Sequence, residues 1–274
     1  MSKNQDIFKG WKVPNGKSTE QAWLEVEAKM KQRQSQSKVV TFSWRPMISV
    51  AAAAVVIVGL ILFWPNHELK TYSSTTGHVE VVNLPDASVA TLNAGSSITF
   101  SEDWSEERVL DLKGQAFFEV KKGSKFSVVT PTGVVEVLGT SFDVYSREND
   151  LRVACYTGRV MVRVGTQELE ITPGYTAMLH NGNLQVGEFN NTDADWRTGE
   201  FTFDAAPLSD VFHELERQFG VRIQTPSLEG RLYTGRFNNK NLDEALQLIC
   251  LPMGLKFMIQ QDGEVIVDDV QNVK

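Results

Sequence analysis

The chain has 274 residues, with 27 basic and 34 acidic side chains and two cysteines. An acidic chain gives no reason to expect nucleic acid as a partner, because phosphate binding needs clustered Lys or Arg. The cysteine count argues against a disulfide-stapled scaffold and against a zinc site with thiolate ligands. The four histidines lack metal-ligand spacing, and no Walker loop, GxSxG elbow or GxGxxG occurs. We therefore expect no metal, no cofactor and no enzymatic activity; catalytic residues that converge only in space are the alternative.

Residues 1–45 form the first predicted region, an arm with one amphipathic helix. Ser18 and Gln21 have capping-box spacing and open that helix. Trp23, Val26 and Met30 recur at helical spacing and form an apolar stripe on one face. A short helix of this kind is marginal alone in water, so it either lies on a membrane or docks on a protein. We favour a groove in a partner protein.

Residues 46–66 form the second predicted region, an uncharged run that we interpret as a single transmembrane helix. Its apolar centre, from Met47 to Trp64, would rise about 27 Å as a helix, close to the thickness of a bilayer core. Trp44, Arg45 and Trp64 are the expected anchors at the two membrane interfaces. More basic residues precede the run than follow it, which places the N-terminus in the cytoplasm. A buried helix of a soluble core is the alternative.

Residues 67–76 are predicted to be a polar linker, and residues 77–190 an all-β domain, either a sandwich or a short roll. Several short segments alternate between apolar and polar residues, with glycines between them. The apolar residues in these segments are Val79 and Val81, Phe126 and Val128, Val135 and Val137, and Phe142 and Val144. A longer segment places Leu110, Leu112, Gly114, Ala116, Phe118 and Val120 on one face.

Residues 198–269 contain an internal repeat at an offset of 34 residues. In this repeat Phe203 corresponds to Phe237, Leu208 to Leu242, Leu215 to Ile249, and Gly220 to Gly254. Each copy is predicted to be strand, helix, strand, and Asn241 and Glu244 have N-cap and N3 spacing at the second helix. Two copies are too few for a solenoid, so we predict a small α+β domain of duplicated βαβ units. Its sheet should have an edge that can accept a partner's strand. We interpret the Asp268-Asp269 pair near the end of the chain as part of a polar, solvated tail.

Ordered motifs in the β domain resemble the ferric-citrate-regulator (FecR-like) family of membrane anti-sigma factors. They are LPDASV at 84–89 with Leu92-Asn93, RVLDLKGQAFFEV at 108–120, VLGTSFDV at 137–144, Gly158-Arg159-Val160, and Pro173-Gly174. Ala87 stands where the family has Gly, and Gln115 where it commonly has Glu; we assign position 115 no chemistry. We interpret the signature residues as turns and core positions rather than a binding site: Leu84, Pro85, Asp86, Leu92, Asn93, Gly114, Phe118, Leu138, Gly139, Thr140, Phe142, Gly158, Pro173 and Gly174.

The resemblance implies a single-pass regulator of the bacterial inner membrane, with its C-terminal domains in the periplasm. The duplicated domain is similar to the short signalling modules of secretins and TonB-dependent receptors. The implied partners are the lipid bilayer, the signalling domain of an outer-membrane TonB-dependent receptor, and an extracytoplasmic-function sigma factor. Trp11, Trp23, Val26 and Met30 are then the expected sigma-factor contacts. The alternatives are a non-signalling envelope module that docks secretin or receptor domains, and an exterior glycan-binding protein.

Overall fold

The computed structural model describes residues 18–34, 68–105, 107–190 and 194–270. The chain divides into two compact units, Met1–Pro65 and Asn66–Lys274. The predicted transmembrane segment, residues 46–66, lies outside the described residues, as do Trp11, Trp44, Arg45 and Trp64. No helix in the described part of the chain is both long and apolar enough to cross a membrane.

The first unit contributes helix α1, Thr19–Gln34. The predicted capping box at its start is confirmed. The Gln21 amide donates to Ser18 Oγ and the Ser18 amide donates to Gln21 Oε1, each over 3.4 Å. These bonds satisfy two amides that the first helical turn leaves without partners.

The second unit begins with thirteen strands, which we call the β lobe. Their bounds are β1 Leu69–Ser73, β2 Glu80–Asn83, β3 Val89–Leu92, β4 Ser97–Ser101, β5 Arg108–Glu119, β6 Phe126–Val129, β7 Val134–Val137, β8 Ser141–Arg147, β9 Asp150–Cys155, β10 Val160–Val164, β11 Gln167–Ile171, β12 Tyr175–His180 and β13 Asn183–Glu188. No helix is present between β1 and β13 among the described residues, so the predicted all-β character of residues 77–190 is confirmed there. The prediction of a linker at residues 67–76 is wrong, because β1 lies within it and pairs with β4.

Strand β5 belongs to two sheets at once. Its first half pairs with β4 and β6, and its second half with β3 and β8. The first sheet has the order β1-β4-β5-β6-β7-β10-β11 and the second β2-β3-β5-β8-β9-β12-β13. Their inward residues form one apolar core, as the alternating pattern predicts, so the lobe has the sandwich arrangement.

Gly114 lies where β5 passes from one sheet to the other. Its φ is +102°, and an added Cβ would lie 2.5 Å from Ser96 Oγ. The Ser96 hydroxyl in turn accepts a hydrogen bond from the Gln115 amide over 3.0 Å. Both the backbone angle and the close approach therefore require glycine at this bend.

One predicted register in the β lobe is wrong. The alternation predicts that Val79 and Val81 point inward, but both are exposed, and Val82 and Leu84 are the buried residues. A shift of one residue exchanges the two faces of a strand, and β2 has a partner strand on one side only. Because Val81 and Val82 are adjacent valines, the apolar pattern fits either register equally well.

The second unit continues with residues 194–270, which we call the C-terminal lobe. Its elements are a 3-10 helix Asp195–Thr198, β14 Glu200–Pro207, α2 Leu208–Phe219, β15 Ile223–Gln224, β16 Leu232–Asn238, α3 Leu242–Cys250, β17 Leu255–Ile259 and β18 Val265–Asp269. Each repeat copy is strand, helix, strand, as predicted. The Asn241 side chain caps α3 by accepting from the Glu244 amide, and Gly220 ends α2 with a φ of +66°.

The prediction of two βαβ units is wrong in how the strands pair. The first strands of the two copies pair with each other, β14 with β16. The second strands, β15 and β17, instead flank β18, which the repeat does not include. Residues 268 and 269 belong to this β18 rather than to a polar tail. A repeat offset reveals similar segments but not their pairing, so it does not indicate the additional strand.

The turn at 84–88 generates a prediction on stability. The Ala87 amide donates to the Leu84 carbonyl over 3.0 Å, and the Leu84 amide donates to the Ser88 carbonyl over 2.9 Å. This is a three-residue hairpin loop whose last position is left-handed, and Ala87 has a φ of +62°. We expect Ala87→Gly to raise the free energy of unfolding by about 0.5–1 kcal/mol, because glycine removes the strain of that conformation. Urea unfolding of the full-length protein measures the change.

Ala154→Gly provides the control for this substitution. Ala154 lies inside β9, where its φ is not positive, so glycine should lower stability by about 0.5–1 kcal/mol. A loss of stability in both variants would contradict the role assigned to the left-handed position.

Candidate functional site

Helix α1 presents its apolar residues to solvent. Trp23 is 69% exposed, and Leu24, Val26 and Met30 are exposed as well. A salt bridge between Lys31 and Glu27, one turn apart, spans 3.7 Å on the same helix. The predicted stripe is therefore available for contact with a partner. It lies on a helix whose start is capped by the hydrogen bonds between Ser18 and Gln21.

The first signature motif of the β lobe forms a buried ion pair. Asp86 Oδ2 accepts from Arg108 Nη1 and from Ser88 Oγ, each over 2.7 Å, and both charged side chains are largely buried. Arg108 also donates to the carbonyls of Lys121 and Ser124. The pair thus fastens the 84–88 turn to the start of β5. Removing one partner of such a pair is costly because it leaves a buried charge alone.

The remaining signature residues lie in turns or in the core, with one exposed exception. Leu92, Phe118 and Phe142 are fully buried, and the Phe118 and Phe142 rings stack at 5.2 Å. Gly158 has a φ of +70° and passes so close to Thr140 that an added Cβ would lie 2.7 Å from its Oγ1. Pro173 and Gly174 occupy the centre of the turn closed by the Tyr175 amide and the Thr172 carbonyl. Gly139 lies against Lys122 at the turn after Leu138, and Leu138 is exposed.

A continuous chain of hydrogen bonds joins the two lobes. Gln218 of α2 donates to Asn93 Oδ1, Asn93 donates to Gln115 Oε1, and Gln115 donates to Asp143 Oδ2, each over 2.9 Å. The other Asp143 oxygen accepts from Trp196 Nε1, also over 2.9 Å. We call these five residues the docking seam; all but Gln115 are classed as buried.

The docking seam has a fixed direction. Asn93 and Gln115 each accept a hydrogen bond with the side-chain oxygen and donate one with the side-chain nitrogen. The series of hydrogen bonds that starts at Gln218 therefore ends on an acceptor. Asp143 is that group, since an ionised carboxylate offers acceptor oxygens to both Gln115 and Trp196. Gln218 uses its second amide hydrogen for Glu214 Oε1 over 2.8 Å. The side chains of the docking seam therefore have hydrogen-bond partners while the lobes are docked.

Apolar and charged contacts surround the docking seam. The Arg197 guanidinium lies 4.3 Å from the centre of the Phe117 ring, which also contacts Tyr156 at a centroid distance of 5.3 Å. Phe117 is buried with the core of the C-terminal lobe rather than with that of the β lobe. The outer face of β5 is therefore covered by the C-terminal lobe.

Burial raises the pKa of the Asp143 carboxyl from its ordinary 3.8 to about 6. The hydrogen bonds from Gln115 and Trp196, and the charges of Arg152 and Arg197, act in the opposite direction but do not cancel the desolvation. The side chain that terminates the docking seam is thus ionised near neutral pH at a cost in free energy.

Sequence reasoning missed the docking seam, and the statement that position 115 carries no chemistry is wrong. Gln115 is its central link. A usable signal was present in the adjacent Phe117 and Phe118. Successive residues of a strand point to opposite faces, so two neighbouring phenylalanines indicate a strand that is covered on both sides.

The Asp143 carboxyl predicts a pH dependence of stability. Its raised pKa means that the folded protein holds a proton that the unfolded chain releases between about pH 4 and pH 6. This contribution is present below pH 4 and is lost as the pH rises through 6. From pH 4 to pH 7 the free energy of unfolding should fall by about 2 kcal/mol relative to Asp143→Asn, which has no such proton. Urea unfolding of both proteins across this range measures the difference, and parallel pH profiles would contradict the prediction.

Comparison with known proteins identifies both lobes. The family model described as FecR protein matches residues 70–161, and that described as FecR, C-terminal, matches residues 200–267. No curated protein matches the sequence.

Two crystal structures of a candidate anti-sigma factor from Parabacteroides distasonis ATCC 8503, at 2.50 and 1.65 Å resolution, resemble this chain with TM-scores of 0.67 and 0.66. Each is 26% identical to it, and they cover 74% and 73% of this chain and 99% of their own. The two family models together match more than half of the sequence, in the order in which the β lobe and the C-terminal lobe occur. The chain belongs to the FecR family.

Proposed function

We propose that this protein is an inner-membrane anti-sigma regulator, which relays ligand occupancy of an outer-membrane TonB-dependent receptor to an extracytoplasmic-function sigma factor. The observation that carries the proposal is the exposed apolar stripe of α1 in a chain of the FecR family. The names of its structural neighbours, candidate anti-sigma factors, support the choice of a sigma factor as the partner.

The stripe of α1 has the properties of a contact made by a helix in a groove. Trp23, Val26 and Met30 lie within about 60° of one another around the helix axis, at 100° per residue. Exposed aromatic residues at the centre of such a stripe are typical anchors of an interface. Because a helix of this length gains most of its stability from packing, a partner's groove would also fix its fold.

The uncharged run at 46–66 supports a membrane crossing between this helix and the two lobes. In this proposal the N-terminus is cytoplasmic and both lobes are periplasmic. The receptor's signalling domain would meet the C-terminal lobe, where β17 pairs with β18 on one side and with no described strand on the other. Met258 and Ile259 are exposed on this edge strand and would contact an added strand.

The sigma-factor contact is tested by co-purification. The full-length protein is co-expressed with the extracytoplasmic-function sigma factors of its own genome, and the bound fraction is measured. We expect Trp23→Ala and Val26→Asp each to weaken binding by about 30-fold, the effect of losing an interface anchor of about 2 kcal/mol.

Ala28→Gln provides the matched control. Ala28 is exposed on the opposite face of α1 and glutamine is a good helix former, so binding should not change. Unchanged binding in both stripe variants would show that the stripe is not the contact.

The topology is tested by proteolysis of intact spheroplasts. A protease added from outside should cleave within residues 68–274 and leave the arm, residues 1–45, protected. Full protection of the two lobes, together with recovery of the protein in the soluble fraction, would contradict the proposed membrane arrangement.

A further inference from the structure

The two lobes of the second unit have separate apolar cores. One cluster of buried residues lies entirely within the β lobe, from Val82 to Ala177. The other lies in the C-terminal lobe and includes one buried residue of the β lobe, Phe117. Each lobe therefore has a core of its own, and Phe117 is the buried apolar residue of the β lobe that the C-terminal lobe covers.

The contact between the lobes includes several hydrogen bonds beside the apolar contacts of Phe117. Among the described residues, the bonds from Trp196 to Asp143 and from Gln218 to Asn93 cross this contact, as does a backbone bond of 2.7 Å from the Gly77 amide to the Arg217 carbonyl. Water can replace each of these partners when the lobes part, whereas an apolar core has no such substitute. A contact with this many polar bonds, between lobes that have their own cores, is the type at which relative motion is expected.

Charges at the contact add to this tendency. Arg147 of the β lobe is bonded to the Ala94 carbonyl over 2.8 Å, and Arg217 of α2 is bonded to Glu214 over 2.7 Å. Burial first, and then the positive charge of Arg217, lower the pKa of Arg147. The two arginines meet at Gly95, where an added Cβ would lie 3.6 Å from Arg217 Cδ and 4.0 Å from Arg147 Nη1. Parting the lobes would return both cations to water.

We propose that the docking seam is a separable joint, at which the C-terminal lobe lifts off the β lobe as a rigid body while both cores stay folded. Opening breaks the bonds from Trp196 to Asp143 and from Gln218 to Asn93, and it uncovers Phe117 on the outer face of β5. Use of this joint to carry a receptor's signal rests on the proposed function. The joint itself rests on the contacts between the lobes, and its test needs neither receptor nor sigma factor.

Three probes in the full-length protein separate opening of the joint from unfolding of a lobe. Hydrogen exchange at the Gly77 amide reports the joint, because its bond to Arg217 crosses the contact. Alkylation of Cys155 reports the core of the β lobe, and alkylation of Cys250 reports the core of the C-terminal lobe. Both thiols are buried and free, and burial raises the pKa of Cys155 to about 11 and that of Cys250 to about 12. They therefore react only after their own core opens.

Trp196→Phe keeps an aromatic ring but removes the donor to Asp143. We expect exchange at the Gly77 amide to become about 10- to 100-fold faster, the effect of losing one hydrogen bond to a charged group. Alkylation of Cys155 and Cys250 should remain at wild-type rates. Trp104→Phe is the matched control, since Trp104 Nε1 is buried and has no hydrogen-bond partner among the described residues, and it should leave exchange at Gly77 unchanged.

If Trp196→Phe also disturbs the core around the indole, Gln218→Ala provides a second test of the joint. It removes the other bond of the docking seam that crosses between the lobes, without changing an apolar side chain. Faster exchange at Gly77 with unchanged alkylation of Cys250 supports the joint. Unchanged exchange at Gly77, or alkylation of Cys250 that accelerates by the same factor, overturns it.

Discussion

The path of β5 is the constraint on which the rest of the second unit depends. Because this one strand pairs in both sheets, it must bend between them, and Gly114 is the residue that permits the bend against Ser96. The same bend orients the second half of the strand. Gln115 and Phe117 face outward toward the C-terminal lobe, and Phe118 faces inward toward the β core. A single glycine thus determines both how the sandwich closes and where the C-terminal lobe can dock.

The molecule uses different forces inside its lobes and between them. The cores are apolar, and they gain stability from burial that water cannot replace. The docking seam is polar, so its net contribution depends on every donor and acceptor keeping its partner. Asp143 makes that dependence stronger, because it must accept two hydrogen bonds while it is almost wholly removed from water.

The sequence predicts the parts of this structure that arise from local pattern. Period-two alternation identifies the all-β lobe, and capping residues identify the starts of α1 and α3. The repeat identifies the order of elements in the C-terminal lobe. Pairing was not predictable in the same way, because β18 resembles neither copy of the repeat. The docking seam was missed because Asn93, Gln115 and Asp143 are polar residues on an outward face, where solvent is the ordinary neighbour. Only the adjacent Phe117 and Phe118 carry the information that this face is covered.

The placement of the two thiols has a consequence for the redox chemistry of the protein. Cys155 and Cys250 lie in different cores, so they cannot pair with each other in the folded protein. A protonated thiol is a poor target for oxidants and for disulfide exchange. Neither lobe therefore contains a disulfide bond that must form for it to fold. In the folded protein, the packing around Cys155 and Cys250 keeps oxidants away from both thiols.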